Sequence, residues 1–295
     1  MRILVIGAGV IGSLYAARLS SAGADVSLFA RGKRLEVLNE KGLSYHDGNR
    51  VKSAPVNIIG KLDDTDIYDY VFVAVRYEQV ASALTLLREN HGKNIILLSN
   101  AVKYDDWVKI AGNRIIPGFP GAGGDIRGDI LYAKFGSKNL QRTVFGEISG
   151  DVTERIQAVS KLFDRAEIPF EISRNIQSFH ITHAAVITAN RHFYGESGML
   201  DPKTARSRKV LKAVAADIKN NLILLEKAGI CITPSKMKVL KHIPGFVFVR
   251  IFHLMLSVNY TRDVLLGNHA RNAKDEYALL YGDFKDLCRE KGLRS

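Results

Sequence analysis

The chain has 295 residues, more than a single hydrophobic core usually serves, so its length predicts two domains. Apolar residues make up 46% and charged residues 24%, which is typical of a globular protein, and no apolar run is long enough to predict a membrane span. The net charge of +12 could indicate a nucleic-acid-binding protein. The basic residues are spread along the chain without an aromatic-basic or zinc-finger pattern, so we expect no nucleic-acid partner.

The first residues, MRILVIGAGVIG, place one arginine before an apolar run, as a secretion signal does. Glycines break this run early and an amphipathic pattern follows, so we interpret it as a first β-strand. The chain has two cysteines, Cys231 and Cys288, whose spacing fits neither a disulfide framework nor a zinc site. We therefore expect a cytoplasmic protein that binds no metal.

The first half of the sequence alternates short apolar runs with helical patterns, which is typical of a parallel sheet with crossover helices. Asp47 and Gly48 predict a hairpin turn, and the glycine-rich segment 118–124 is predicted to be a loop at the ligand site. The predicted strands are residues 3–6, 26–30, 43–46, 51–54, 70–75, 95–99, 115–116, 130–135, 143–148 and 170–172, with a helix over 153–165.

From Ile176 onward, long helical periodicities replace the strand patterns. The predicted helices are residues 177–193, 203–228, 234–240, 246–258 and 270–290. The sequence thus predicts an α/β domain over residues 1–173, followed by an all-helical domain over residues 174–295.

Three glycines, Gly7, Gly9 and Gly12, follow the first predicted strand in G-x-G-x-x-G spacing and open a helix. This context indicates a Rossmann domain with a doubly wound, mostly parallel sheet. In such a turn Gly7 permits the sharp bend, Gly9 lets the backbone approach a diphosphate, and Gly12 lets the helix pack closely on the strand. The predicted diphosphate-binding residues are Gly7, Ala8, Gly9, Val10, Ile11 and Gly12.

The second predicted strand ends in Ala30-Arg31-Gly32-Lys33-Arg34, where NAD-binding domains usually carry an acidic residue. A carboxylate there would repel the 2′-phosphate of NADPH, whereas an arginine can bind it with two hydrogen bonds. The alternative is a basic loop that only contacts solvent. We predict NADPH or NADP⁺ as the cofactor, with Arg31 on its 2′-phosphate.

Along its whole length the sequence resembles the ketopantoate reductase (2-dehydropantoate 2-reductase) family, most strongly in MRILVIGAGVIGSLYAARLSSAG, at Arg31, in VFVAVRYEQV and in LLSNAV. The resemblance implies an NADP-dependent oxidoreductase that reduces 2-dehydropantoate to pantoate in pantothenate biosynthesis. It also implies that Arg76 and Gln79 bind the cofactor, although the family more often has lysine at the first position. By the same resemblance, Asn100 lies beside the nicotinamide and the substrate and takes part in catalysis.

The family carries a substrate-contacting glutamate followed by two glycines, and Glu276, Gly282 and Gly292 reproduce that spacing. The resemblance implies a substrate-binding and catalytic role for Glu276, and an exposed helix residue is the alternative. A serine usually found upstream has only Ser257 as a weak counterpart.

The family's catalytic lysine, which is taken to protonate the ketone oxygen, is missing: residues 173–200 contain no lysine. Its position falls on residues 181–183, and Asn190 corresponds to a substrate-binding asparagine of the family. We take His183 as the candidate acid, because an imidazole ordinarily titrates near neutrality. The alternative is that His180 and His183 are polar residues at a domain interface.

The sequence leaves three functions open. These are reduction of 2-dehydropantoate, reduction of a different carbonyl substrate by the same fold, and NADPH binding by a non-catalytic regulator. The first two imply a small 2-oxo acid or other carbonyl compound as ligand. The helical domain is assigned to substrate binding and dimerisation, so a homodimer is an expected partner arrangement, and no membrane is involved.

Overall fold

The computed structural model describes residues 1–88, 91–137, 141–194, 206–257 and 273–293. The chain forms two compact units: unit 1 comprises Met1–Ser99 and Tyr104–Ile176, and unit 2 comprises Asn100–Lys103 and Gln177–Ser295. The predicted first domain ends at residue 173, whereas unit 1 ends at Ile176. The roles assigned to the two domains stay predictions.

Unit 1 contains a large sheet whose strands run in the order β12-β11-β8-β7-β6-β1-β2-β5. Strand β11 is antiparallel to β8, and the other neighbouring pairs are parallel. This arrangement confirms the mostly parallel sheet. The strands of unit 1 are β1 (Arg2–Ile6), β2 (Asp25–Phe29), β3 (Leu43–Asp47), β4 (Arg50–Ala54), β5 (Asn57–Ile59), β6 (Tyr70–Val73), β7 (Ile95–Leu98), β8 (Ile115–Phe119), β9 (Ala122–Arg127), β10 (Ile130–Phe135), β11 (Thr143–Phe145) and β12 (Phe170–Ile172).

Helices cover the sheet, and the central strands β6 and β7 are apolar and buried along their whole length. A parallel strand that is covered on both faces has no solvated side, so its sequence is a continuous apolar run rather than an alternating one. This is why these strands could be predicted from short runs. The helices of unit 1 are α1 (Val10–Ser21), α2 (Gly32–Lys41), α3 (Val80–Leu84), α4 (Asp105–Ala111) and α5 (Glu154–Arg165), with 3-10 turns at Tyr77–Gln79 and Gly112–Arg114.

A second, four-stranded sheet has the order β4-β3-β10-β9. The predicted hairpin is present as β3 and β4, but its pairing with β10 was not predicted. The loop predicted over residues 118–124 is limited to residues 120–121, because the segment ends β8 and begins β9, and its place at the ligand site stays a prediction. Its glycines serve close packing: a Cβ atom on Gly121 would overlap the backbone of Arg142.

The described part of unit 2 contains helices and no strand, as expected: α6 (Ile176–Ile187), α7 (Arg208–Lys227), α8 (Gly245–Met255) and α9 (Lys274–Glu290), with 3-10 helices at Thr188–Tyr194 and Ser235–Lys241. The predicted helix 177–193 therefore changes to a 3-10 helix at Thr188, and the predicted helix 234–240 is a 3-10 helix throughout. Over one or two turns the repeats of the two helix types differ too little for apolar spacing to separate them. Parts of the predicted helices 203–228, 246–258 and 270–290 lie outside the described residues.

Across the described ranges, no helix is both long and apolar enough to cross a membrane.

Candidate functional site

The glycine-rich turn lies between β1, a central strand of the large sheet, and α1. Gly7 has a φ of 107°, which a side chain rarely tolerates, and a Cβ atom on it would overlap the carbonyl oxygen of Ala74. A Cβ atom on Gly12 would overlap the carbonyl oxygen of Gly7. Both positions therefore require glycine, because the backbone of another residue occupies the place of a side chain.

Gly9 is different, because a Cβ atom built on it meets no atom within 4 Å. It is the residue before α1, and within the described residues no side chain caps this helix or places an acid in its first turn. The first N–H groups of a helix point outward and attract anions. Gly9 thus leaves open space beside the backbone of Ala8, Val10 and Ile11, where the exposed N–H groups favour an anionic group.

Three further predicted residues stand at the same edge of the sheet, because β2 and β6 flank β1 in parallel register. Ile6 is level with Phe29 on one side and with Val73 on the other. Arg31 follows β2, is exposed, and lies with its guanidinium carbon 5.2 Å from the centre of the Phe29 ring. It is placed to meet a ligand that extends past the end of β2.

Arg76 and Gln79 follow β6 and shape the turn after it. The Gln79 N–H donates to the carbonyl oxygen of Arg76 at 2.9 Å, and the Arg76 N–H lies 3.4 Å from the Gln79 Oε1. The Arg76 side chain is partly buried and Gln79 is exposed. The structure therefore brings the glycine-rich turn, Arg31, Arg76 and Gln79 to one edge of unit 1, whereas Asn100, also predicted to bind the cofactor, belongs to unit 2.

The residues predicted for the substrate belong to unit 2. Asn100 stands two positions after β7, and its Nδ2 donates to Oε1 of Glu276 at 2.9 Å. Glu276 is 4% exposed, so the alternative of an exposed helix residue was wrong. Oδ1 of Asn100 is buried and has no hydrogen-bond partner among the described residues. A donor from a bound molecule would satisfy this atom.

Tyr277, which was not predicted, contacts Asn190, the other residue predicted to bind the substrate. It follows Glu276 in the first turn of α9 and forms a side-chain hydrogen bond with Asn190. Burial raises the pKa of Tyr277 to about 12, so the phenol keeps its proton at neutral pH. Only its position beside Glu276 could have suggested it from the sequence. Asn100 with Glu276, and Tyr277 with Asn190, are thus two hydrogen-bonded pairs that meet at consecutive residues of α9, and we call these four residues the polar cluster.

His183 lies on α6, parallel to the ring of Phe179 with 6.3 Å between ring centres. Burial lowers the pKa of His183 to about 4, so its imidazole is neutral at neutral pH. The near-neutral pKa that suggested a general acid is therefore not kept in the folded protein. His180 on the same helix is buried. The role of His183 as an acid stays a prediction.

Because His183 is desolvated in the folded protein, we expect the free energy of unfolding to decrease at acidic pH. The unfolded chain takes up this proton near pH 6.5 and the folded chain only near pH 4, so between these values the unfolded state holds more protons. The free energy of unfolding should therefore fall as the pH falls through this range. We expect the contribution to stay below about 3 kcal/mol, because the side chain keeps some solvent exposure.

Urea denaturation of the wild type and of His183→Gln, at several pH values between neutral and 4, checks this result. Glutamine is polar, similar in size and does not titrate, so it removes only the proton uptake. If both proteins lose stability in parallel, His183 does not carry the effect.

No group of three or more His, Cys, Asp or Glu side chains that could hold a metal ion occurs in the part of the chain that the structure describes.

Comparison with known proteins places these features in a family. Residues 3–149 match the sequence model of the family described as ketopantoate reductase PanE/ApbA. A 2-dehydropantoate 2-reductase of Mesorhizobium japonicum is 31% identical over 45% of this chain and 38% of its own length. One of Archaeoglobus fulgidus is 29% identical over 64% of this chain. The chain spans 61% of that relative.

Solved structures share the fold over nearly the whole chain. A 2-dehydropantoate 2-reductase of Geobacter metallireducens has a TM-score of 0.77 at 16% identity, covering 100% of this chain and 95% of its own. A D-mandelate dehydrogenase in complex with NADH and anilino(oxo)acetate has a TM-score of 0.67 at 15% identity, covering 100% of both chains. The sequence match, with this fold and the glycine-rich turn, shows that the chain belongs to the ketopantoate reductase family.

Proposed function

We propose that the chain catalyses the NADPH-dependent reduction of a 2-oxo acid, with 2-dehydropantoate as the substrate and pantoate as the product. The observation that carries the proposal is the open turn at Gly9, which leaves room for a dinucleotide diphosphate at the start of α1. Membership of the ketopantoate reductase family supports the reaction class. NADPH, when bound, supplies the hydride for the carbonyl carbon.

The residues of unit 1 account for cofactor binding. The N–H groups at the start of α1 stabilise the two negative phosphates, and Gly9 adds no side chain that would exclude them. Arg31 stands where the 2′-hydroxyl or 2′-phosphate of the adenosine ribose lies in Rossmann domains. Its positive charge favours the phosphate, so we propose NADPH rather than NADH as the cofactor.

The polar cluster of unit 2 accounts for substrate binding. Glu276 holds the Asn100 amide in one orientation, so that Oδ1 of Asn100 is left to accept from a substrate hydroxyl. A carboxylate at Glu276 would repel the carboxylate of a 2-oxo acid but accept from a hydroxyl group. The cluster therefore favours a hydroxylated 2-oxo acid whose own carboxylate lies away from Glu276.

Two side chains compete for the role of proton donor. His183 is uncharged at neutral pH and so lacks the acidic proton of an imidazolium, whereas the Tyr277 phenol keeps its proton, follows Glu276 in the chain and is hydrogen-bonded to Asn190. Losing a positioned donor lowers the rate about 100-fold or more. We expect this loss in kcat for Tyr277→Phe, and a smaller loss for His183→Gln.

Steady-state kinetics of the two variants, with NADPH affinity measured separately, checks this expectation. Equal binding of NADPH by both variants is the control for an intact cofactor site. The opposite ranking would assign the proton donation to His183.

The missing lysine favours a second candidate function, that of a regulator that binds NADPH but catalyses no reduction. One experiment separates the candidates: purified protein is mixed with NADPH and 2-dehydropantoate, or with other 2-oxo acids, and the loss of NADPH absorbance is followed. Turnover that is fastest with 2-dehydropantoate supports the proposal, and faster turnover of another acid assigns a different substrate. NADPH binding without any turnover supports the regulator.

The proposed reaction would place the chain in cytoplasmic pantothenate biosynthesis. The exposed Cys231 and the buried Cys288 are both free thiols, which suits a reducing compartment. A homodimer formed through the helical unit belongs to the same proposal, and sedimentation of the purified chain tests it.

A further inference from the structure

Arg34 connects the end of β2 to the glycine-rich turn at the end of β1. It lies in the first turn of α2, and its Nε donates to the carbonyl oxygen of Ala8 at 3.2 Å. Arg31 stands one turn earlier in the same segment and is exposed, whereas Arg34 is partly buried. The two arginines therefore belong to the same segment but have different contacts: Arg34 contacts the glycine-rich turn, and Arg31 contacts the Phe29 ring.

The Arg34 guanidinium is not fully satisfied. Its Nη2 is buried and has no hydrogen-bond partner among the residues that the structure describes. Burial lowers the pKa of Arg34, and Asp129, in the turn between β9 and β10, is the carboxylate that opposes this shift. Asp129 itself pairs with Lys41 at 2.9 Å. A buried, partly unpaired cation costs free energy that a nearby anion would recover.

We propose that Arg34 is a positioning residue for the dinucleotide diphosphate. Its hydrogen bond fixes the Ala8 carbonyl, and with it the orientation of the peptide groups that begin α1. Its positive charge adds to the potential of the helix N-terminus where the diphosphate binds. The inference rests on the cofactor part of the proposed function, and it does not depend on the substrate or on turnover.

The inference separates the duties of the two arginines. Arg31 should act only on ligands that carry a 2′-phosphate. Arg34 should act on every ligand that carries the diphosphate, with or without a 2′-phosphate. ADP-ribose has the diphosphate and no 2′-phosphate, whereas 2′,5′-ADP has the 2′-phosphate and no diphosphate, so the two compounds report on the two arginines separately.

A matched series of variants separates charge from hydrogen bonding. In Arg34→Gln the amide nitrogen stands as many bonds from Cα as the arginine Nε, so the contact with Ala8 can persist without the charge. Arg34→Met removes the donor and the charge but keeps an apolar stem. Arg31→Met is the control at the neighbouring position, and the melting temperature of each variant reports on folding.

We expect isothermal titration calorimetry to show that Arg34→Met raises the dissociation constants for ADP-ribose and for NADPH by about the same factor. That factor should be on the order of tenfold, or about 1.4 kcal/mol. Its effect on 2′,5′-ADP should be much smaller. Arg34→Gln should fall between Arg34→Met and the wild type. Arg31→Met should have the opposite effect: the binding of NADPH and of 2′,5′-ADP becomes weaker, and the binding of ADP-ribose is unchanged.

Unchanged ADP-ribose binding by a folded Arg34→Met protein would overturn the inference. A loss of affinity only for ligands with a 2′-phosphate would also overturn the inference, because Arg34 would then bind the 2′-phosphate as Arg31 is proposed to do. Absence of ADP-ribose binding by the wild type would do the same. A wild type that shows this binding pattern but no turnover supports the role of Arg34 while the proposed reductase activity fails.

Discussion

Replacing Gly9 with valine should weaken NADPH binding strongly while the protein stays folded. The Cβ position of Gly9 meets no protein atom within 4 Å, and its φ of −77° and ψ of −167° suit a β-branched residue. The valine side chain would instead fill the space that the diphosphate needs. We expect the dissociation constant for NADPH to rise at least about 100-fold, or about 2.7 kcal/mol.

Calorimetry with NADPH and thermal unfolding of the same Gly9→Val sample check this prediction. Valine is a poorer residue than glycine before a helix, so a loss of stability below about 1 kcal/mol is expected. NADPH binding close to that of the wild type would show that the diphosphate does not lie at this turn.

Gly12→Ala is the matched comparison, because there the protein itself occupies the Cβ position. The new carbon would overlap the carbonyl oxygen of Gly7, so α1 would have to move away from β1. We expect a stability loss of about 3 kcal/mol in the absence of any cofactor. Gly9 and Gly12 thus differ in their surroundings: the Cβ position is open at Gly9, where we propose that the diphosphate binds, and is occupied by the backbone of Gly7 at Gly12.

Replacing Glu276 with alanine should destabilise the chain and disable the substrate cluster. The variant would leave Asn100 Nδ2 without its acceptor in a place where Asn100 Oδ1 already has no partner among the described residues. An unsatisfied buried donor costs about 1–3 kcal/mol. If the proposed function holds, kcat/KM should also fall on the order of 100-fold, because the orientation of Asn100 is lost.

Glu276→Gln is the control, since its side-chain oxygen can still accept from Asn100 while the charge is removed. It should keep most of the stability and most of the activity, because the orientation of Asn100 is preserved. Urea denaturation of both variants, of Asn100→Ala and of the double variant Asn100→Ala/Glu276→Ala gives the coupling energy between the two residues. Strict additivity of the two alanine variants would contradict a direct hydrogen bond.

The structure could be predicted from the sequence wherever the residues of one short segment determine its conformation. The spacing of Gly7, Gly9 and Gly12 predicts a turn whose backbone bends and contacts allow no side chain, and the structure shows this at Gly7 and Gly12. The apolar runs of β6 and β7 predict strands buried on both faces. These features were predictable because the relevant neighbours are within a few residues or along one repeating pattern.

The resemblance to the family pointed to Asn100 and Glu276 but could not tell whether they meet. They are far apart in the sequence, and the hydrogen bond between them depends on how α9 packs within unit 2. Burial of Glu276 and the contact of Tyr277 with Asn190 have the same origin. Spacing along one helix cannot report a partner that another segment supplies.

The sequence by itself determined the type of each domain, the glycine-rich turn and the basic end of the second strand. Only the tertiary structure decided that Arg34 reaches Ala8, that β10 pairs with β3, and that the pKa of His183 falls to about 4. The physical reason is that backbone geometry is set by adjacent residues. Desolvation, hydrogen-bond partners and charge environment depend on distant segments that folding brings together.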